Sequence, residues 1–192
     1  MKSIFFIRSL ASVCFFLISS LAMHAVASDT EYAEIEWIQL MPADDLEALM
    51  NPPEFLSGIE DGASDDNLET LSELGKTNEA AKRFEEALTS TRVIEAFDQA
   101  RIRIPGFIVP LASNEAQRVT AFFIVPYFGA CLHLPPPPPN QIIYAEHQTG
   151  IELNSLQDAF WFEGTILIDN TENELGQSAY TMRLDKAYIY GG

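Results

Sequence analysis

The stretch Arg101–Val125, RIRIPGFIVPLASNEAQRVTAFFIV, decides the fold. Arg101-Ile102-Arg103-Ile104 alternates charged and apolar side chains, the period of two that a strand with one buried face requires. Phe107-Ile108-Val109 follows Pro105-Gly106, and Val119–Val125 is almost entirely β-branched or aromatic. Downstream, Gln141–Ala145 (QIIYA), Phe160–Ile168 (FWFEGTILI) and Ala179–Tyr190 continue the strand signal. Such strands, with Gly106 and Gly164 placed where a small barrel must bend, predict an antiparallel OB-like β-barrel over 101–192. Trp161 and Phe162 are expected to fill it, and Tyr188 and Tyr190 to share one face of the last strand.

Upstream of Arg101 the period changes to that of a helix. Ala80, Ala81, Phe84, Ala87, Leu88, Val93, Ile94 and Phe97 recur at helical spacing, predicting an amphipathic helix over 77–100, broken near Thr89-Ser90-Thr91, with Phe84 and Phe97 in the core. Residues 28–76 read as an acidic, extended arm with short helical turns. Asp44, Asp45 and Glu47 lie in the first turn of one of these, where carboxylates suit the helix dipole. The run Glu60–Asp66 lacks the alternating ligand pattern of a calcium loop and reads as a solvated face. The expected fold class is therefore α+β, a helical acidic N-terminal portion followed by the barrel.

The first 27 residues read as a secretory signal peptide. Lys2 and Arg8 flank a positive start, Ser9–Met23 is apolar, and Ala25-Val26-Ala27 offers a small-residue cleavage site. The expectation is an exported, periplasmic protein with no stable membrane insertion once the leader is cut. Cys14 and His24 leave with it. The whole chain carries 28 acidic and 11 basic residues, net −17. Without Lys2 and Arg8 the imbalance deepens to −19. That sign excludes nucleic acid as a partner, because such affinity comes from Lys and Arg on phosphates. No phosphate-binding loop, dinucleotide fingerprint, nucleophile-elbow serine or internal repeat occurs.

What remains is one cysteine, Cys131, with His133 and His147, so no intramolecular disulfide forms in the mature chain. Cys131 and His133 sit two apart, on one face of an extended chain, ahead of Pro135–Pro139 and Asn140-Gln141. Consecutive prolines favour a stiff polyproline II segment that fixes what stands at each end. Three readings of the pair stay open. Thiolate and imidazole form half a site for a soft divalent metal such as zinc. Because zinc wants more ligands, a homodimer sharing two such pairs would supply four, while an open site would suit transient metal transfer. A second reading is a thiol-dependent enzyme in which His133 activates Cys131, although side chains on one strand diverge. The third is a buried thiol in a surface used for partner contact through Tyr127, Pro135, Pro136, Pro137, Pro138, Asn140 and Gln141. His147 reads as a loop residue following the Gln141 strand.

Val125–Gln141 resembles the hallmark block of the exported bacterial proteins of domain-of-unknown-function family 3299, Val-Pro-Tyr-x-Gly-Ala-Cys-x-His-x-Pro-Pro-Pro-Pro-x-Asn-Gln. Arg103–Leu111, Trp161–Gly164 and Trp37–Pro42 resemble further elements of that family, with Ile38-Gln39 replacing an acidic pair. The resemblance implies an accessory protein accompanying transporters of the MacB-like or lipoprotein-releasing ABC type, sometimes in zinc-responsive settings. It marks Cys131, His133, Asn140 and Gln141 as functional positions, with Glu146 and His147 outside the block. The expected function is non-enzymatic: binding of a divalent metal or a transporter partner through Cys131–Gln141.

Overall fold

The structure, a computed structural model, describes residues 32–54, 68–129, 136–173 and 175–191. Its chain order is β1 (Ala33–Glu34), α1 (Ala43–Met50), α2 (Leu68–Gly75), α3 (Glu79–Leu88), β2 (Arg101–Ser113), β3 (Val119–Val125), β4 (Ile143–Ile151), β5 (Ala159–Asn173) and β6 (Gly176–Ile189). Single 3-10 turns occupy Trp37–Leu40, Glu95–Phe97 and Pro139–Gln141. Residues 1–27, read above as a leader, and the acidic run Glu60–Asp66 lie outside the described residues.

The strands close into a barrel in the order β2-β3-β4-β6-β5, with β5 returning to β2. β2 achieves closure by dividing its length. Arg101–Phe107 pairs with β5 on one edge, and Phe107–Ser113 pairs with β3 on the other. The two residues of β1 run parallel to Ile102 and Arg103. The two strand signals on either side of Pro105-Gly106 are thus one strand of 13 residues. The carbonyl of Pro105 accepts a 2.7 Å bond from the indole Nε1 of Trp37, which fastens the N-terminal turn to the middle of β2.

The barrel is mixed, which corrects the expectation of an antiparallel one. Four seams are antiparallel, but Ile143–Ala145 pairs in parallel with Tyr180–Met182. The reason is parity: strand direction cannot alternate all the way round a ring of five, so one seam must join strands of the same sense.

Even-numbered residues of β2 and β3 (Ile102, Ile104, Ile108, Phe122, Ile124) point inward with Ile143, Ala145, Phe160, Phe162, Ile166, Tyr180 and Met182. Each fully buried large side chain contributes about 1.5–3 kcal/mol of apolar transfer. Glycines permit the tight curvature. A Cβ at Gly106 would stand 2.9 Å from the Val125 carbonyl oxygen, and one at Gly164 would fall onto the Arg183 carbonyl. Phe162 fills the barrel as expected, but Trp161, its immediate neighbour, points outward because alternation forbids both. Arg103 lies 4.7 Å over its ring on one side and Tyr190 packs against it at 5.1 Å.

The helical reading over 77–100 is likewise shortened. Asn78 caps α3 by accepting from the backbone amides of Ala80 and Ala81, and the helix ends at Leu88. There Thr89 Oγ1 turns back to the Glu85 carbonyl, and Ser90 Oγ donates to Asp45 Oδ2 at 2.6 Å. Both bonds draw the chain away from a further helical turn. Phe84 and Leu88 join Leu71 and Ala81 in a small helical core, while Phe97 packs on the barrel. Trp37, Leu40, Val93 and Phe97 pack against the barrel core. Tyr180 ties these segments together, donating to the Leu40 carbonyl at 2.8 Å and accepting from the Ile94 amide at 2.7 Å.

Candidate functional site

β3 delivers the segment singled out by sequence, and its near end is held by aromatic packing. Phe128, still 43% exposed, lies 6.4 Å from the Phe107 ring, and Tyr127 is 45% exposed. Gly129 takes φ +78°, a conformation that favours glycine. Cys131, His133 and Pro135 lie outside the described residues, as do Ala130, Leu132 and Leu134.

The far end is fixed more firmly. Pro136 is half-buried, and Pro137 and Pro138 are buried. Pro138 has the polyproline II dihedrals expected of the run. The following turn closes by bonds from the Gln141 amide to the Pro138 carbonyl (2.8 Å) and from the Ile142 amide to the Pro139 carbonyl (3.2 Å). Asn140 and Gln141, expected as amides facing a ligand, are buried, and their side-chain nitrogens go to backbone. Asn140 Nδ2 donates to the Arg92 carbonyl at 3.0 Å. Gln141 Nε2 donates to the carbonyls of Trp37 (2.8 Å) and Asn140 (3.1 Å). The two amides therefore anchor the exit of the proline run to the segments that pack on the barrel core. Asn140 Oδ1 has no hydrogen-bond partner among the described residues.

The anchor continues into a charge network that composition alone does not reveal. Asp45 is fully buried in α1 and receives Arg83 at 2.6 Å, Arg92 at 3.1 Å and Ser90 at 2.6 Å. Asp44 takes both terminal nitrogens of Arg92, at 2.6 and 3.0 Å. The hydrogen bond from Arg92 holds the Asp44 carboxyl below its ordinary range, even against partial desolvation. Both guanidiniums are held more firmly protonated, Arg83 chiefly by the bond to Asp45 and Arg92 chiefly by the bond to Asp44. Removing a buried carboxylate from such a network costs more than forming it gains. Its role is to lock α1 and α3 to the connector carrying Arg92.

A second polar cluster lies outside the barrel across β2, β5 and β6. Glu163 is 8% exposed, accepts from Tyr188 Oη at 2.8 Å and pairs with Lys186 at 3.2 Å, while Arg103 pairs with Glu34 at 2.7 Å. Burial alone would raise the Glu163 carboxyl, but the bonds from Tyr188 and Lys186 and the charges of Lys186 and Arg103 bring it below its ordinary value. Tyr188, near the end of β6, and Tyr190, one residue past it, both pack on outward-facing residues of β5, the former on Glu163 and the latter on Trp161. Their position was legible from alternation; the buried carboxylate beneath was not, because Glu163 reads as solvent-facing.

His147 is a strand residue of β4, not a loop residue, half-buried with Nδ1 3.4 Å from Thr149 Oγ1. Among the described residues no group of three or more His, Cys, Asp or Glu side chains is placed to hold a metal ion. Cys131 and His133 are not among them.

Comparison with known proteins adds three findings. The model of a family described as protein of unknown function (DUF3299) matches residues 37–189. A solved structure of a DUF3299 family protein from Pseudomonas aeruginosa PAO1 is similar at 33% identity and a TM-score of 0.58, covering 84% of this chain and 97% of that one. A search of the curated proteins found no match.

Proposed function

Because the chain belongs to the DUF3299 family, we propose that it is an exported, periplasmic accessory protein that binds a divalent metal, zinc, or an ABC-transporter partner through Cys131–Gln141. The observation that carries this reading is the double clamp on the segment. Phe128 on Phe107 secures its entry, and the buried side chains of Asn140 and Gln141 secure its exit. A segment whose ends are so fixed loses little entropy when it engages a partner, which favours recognition. The thiol and imidazole between them supply soft ligands for zinc, to be completed by a second copy in a homodimer or by the partner. The strand order, with its parallel seam, supports an OB-like barrel as the scaffold, with the helices and acidic residues of the N-terminal portion as its cap. The surplus of carboxylates would draw cations toward the molecule as a field effect.

The test is native mass spectrometry of protein purified from the periplasm, before and after chelator, beside Cys131→Ser. A chelator-sensitive increment absent from Cys131→Ser is the result expected for the metal site, and the mass also reports a shared dimer. For the transporter, a permease should co-purify with the wild type and be lost with substitutions in Pro136–Pro138. An apo protein unchanged by added zinc that captures no permease overturns both arms. Rapid alkylation of Cys131 with a lowered thiol pKa would instead favour thiol-dependent catalysis.

A further inference from the structure

The parallel seam of the barrel is short. β4 and β6 pair only at Ile143–Ala145 with Tyr180–Met182 and then part, while β4 also bulges off β3 between Glu146 and Ile151. Where they part lies an open cavity of about 640 Å³, lined from β4 by Tyr144 and residues 146–149 and from β6 by residues 181–184. Its size falls within the range of small-ligand pockets.

The register gives this opening its chemistry. Tyr144 stands opposite Thr181. One further step of two residues along a continued ladder would bring Glu146 beside Arg183, on the same face. The strands separate instead, so a carboxylate and a guanidinium stand on opposite banks of the cavity with no hydrogen bond or ion pair between them. Glu146 accepts from Tyr144 Oη at 2.6 Å, and one terminal nitrogen of Arg183 donates to Gln99 Oε1 at 3.1 Å. These contacts orient each charge without neutralising it, since the partners are uncharged. Half-buried His147 and Thr181, whose hydroxyl donates to the Asp169 carbonyl at 3.3 Å, add polar character to the lining.

From this arrangement we infer that the β4–β6 cavity binds a zwitterionic ligand carrying both an ammonium and a carboxylate, an amino acid or a short peptide. The ammonium docks on Glu146 and the carboxylate on Arg183, whose planar fork suits a bidentate carboxylate. The cavity volume leaves room for more than one residue. None of its described lining residues belongs to Cys131–Gln141.

The test is a titration of the folded protein, followed by amide chemical shifts, with L-Ala-L-Ala, free L-alanine and N-acetyl-Ala-Ala-amide as probes. Shifts confined to 144–149 and 181–184, with a Kd of roughly 10 μM to 1 mM for the dipeptide, are expected. Glu146→Gln and Arg183→Gln should each weaken it about tenfold or more, and the capped peptide should bind correspondingly less. Tighter binding of the dipeptide identifies a peptide as the ligand, and tighter binding of alanine identifies an amino acid. Equal binding of the capped peptide, or no shifts at these residues with any probe, overturns the proposal. Both substitutions are at exposed positions, and an unchanged melting temperature separates lost binding from lost fold.

Discussion

Arg92 offers its backbone carbonyl to Asn140 Nδ2 at 3.0 Å while its guanidinium holds Asp44 and Asp45. One residue thus joins the exit of the proline run to the helices. Asn140→Ala should leave that carbonyl without its donor and destabilise the protein by about 1–3 kcal/mol. Denaturant unfolding measures this; a change within error would mean the anchor contributes nothing.

Tyr180 makes two bonds with one buried hydroxyl, to segments far upstream in sequence. Tyr180→Phe keeps the ring but orphans the Leu40 carbonyl and the Ile94 amide, a loss of about 1–3 kcal/mol. Thermal unfolding should show a lower Tm, with hydrogen exchange at Ile94 faster than in the wild type.

Gly164→Ala should be more damaging than Gly106→Ala. The added carbon meets a backbone carbonyl, which cannot swing aside as a side chain can. Gly106→Ala also meets Ile124 Cγ2 at 2.8 Å and the Val125 carbonyl oxygen at 2.9 Å. Overpacking of this kind costs about 1–3 kcal/mol, and soluble yield together with the chemical midpoint would rank the two.

Glu163 supplies a pH dependence. Its folded carboxyl takes up a proton only below the range in which the unfolded one does, so in acid the unfolded chain binds more protons and stability rises with pH. The contribution is complete above the ordinary glutamate range and is lost as pH falls through the depressed value. Unfolding free energy against pH should therefore fall less steeply in acid for Glu163→Gln; parallel curves would remove Glu163 from the account.

Tyr144 should ionise late. Desolvation, then its bond to Glu146, pushes the phenol up to about 12. Near-ultraviolet absorbance titration of the folded protein should lose a late tyrosine step in Tyr144→Phe. In Glu146→Gln that step should move down only in part, since burial persists.

Strand positions were legible from side-chain period, and the barrel followed from them together with Gly106 and Gly164. The parallel seam was not, because pairing partners are set by closure of the ring, not by the pattern within any strand. Trp161 was misread because strand signals mark apolar character, while inside and outside depend on register. The helix after Thr77 was overextended because Val93 and Phe97 continue its spacing by packing on the barrel instead, while the Ile94 amide is taken by Tyr180. Of the candidate site, its place after β3 was readable. The burial of Asn140 and Gln141 was not, since their partners are backbone carbonyls at Arg92 and Trp37, one of them 104 positions away. The Glu146–Arg183 opening had no signal at all in sequence, because it arises where two strands stop pairing.

β6 borders two strands at once, closing the long hairpin with β5 and the parallel seam with β4, and it carries Tyr180. No earlier portion of the chain can complete the ring without it. On a ribosome, assembly of the barrel therefore waits until Gly176–Ile189 has emerged, and what precedes it stays open to chaperones throughout synthesis. With so many partners distant in sequence, folding after release should be slow for a domain of this size.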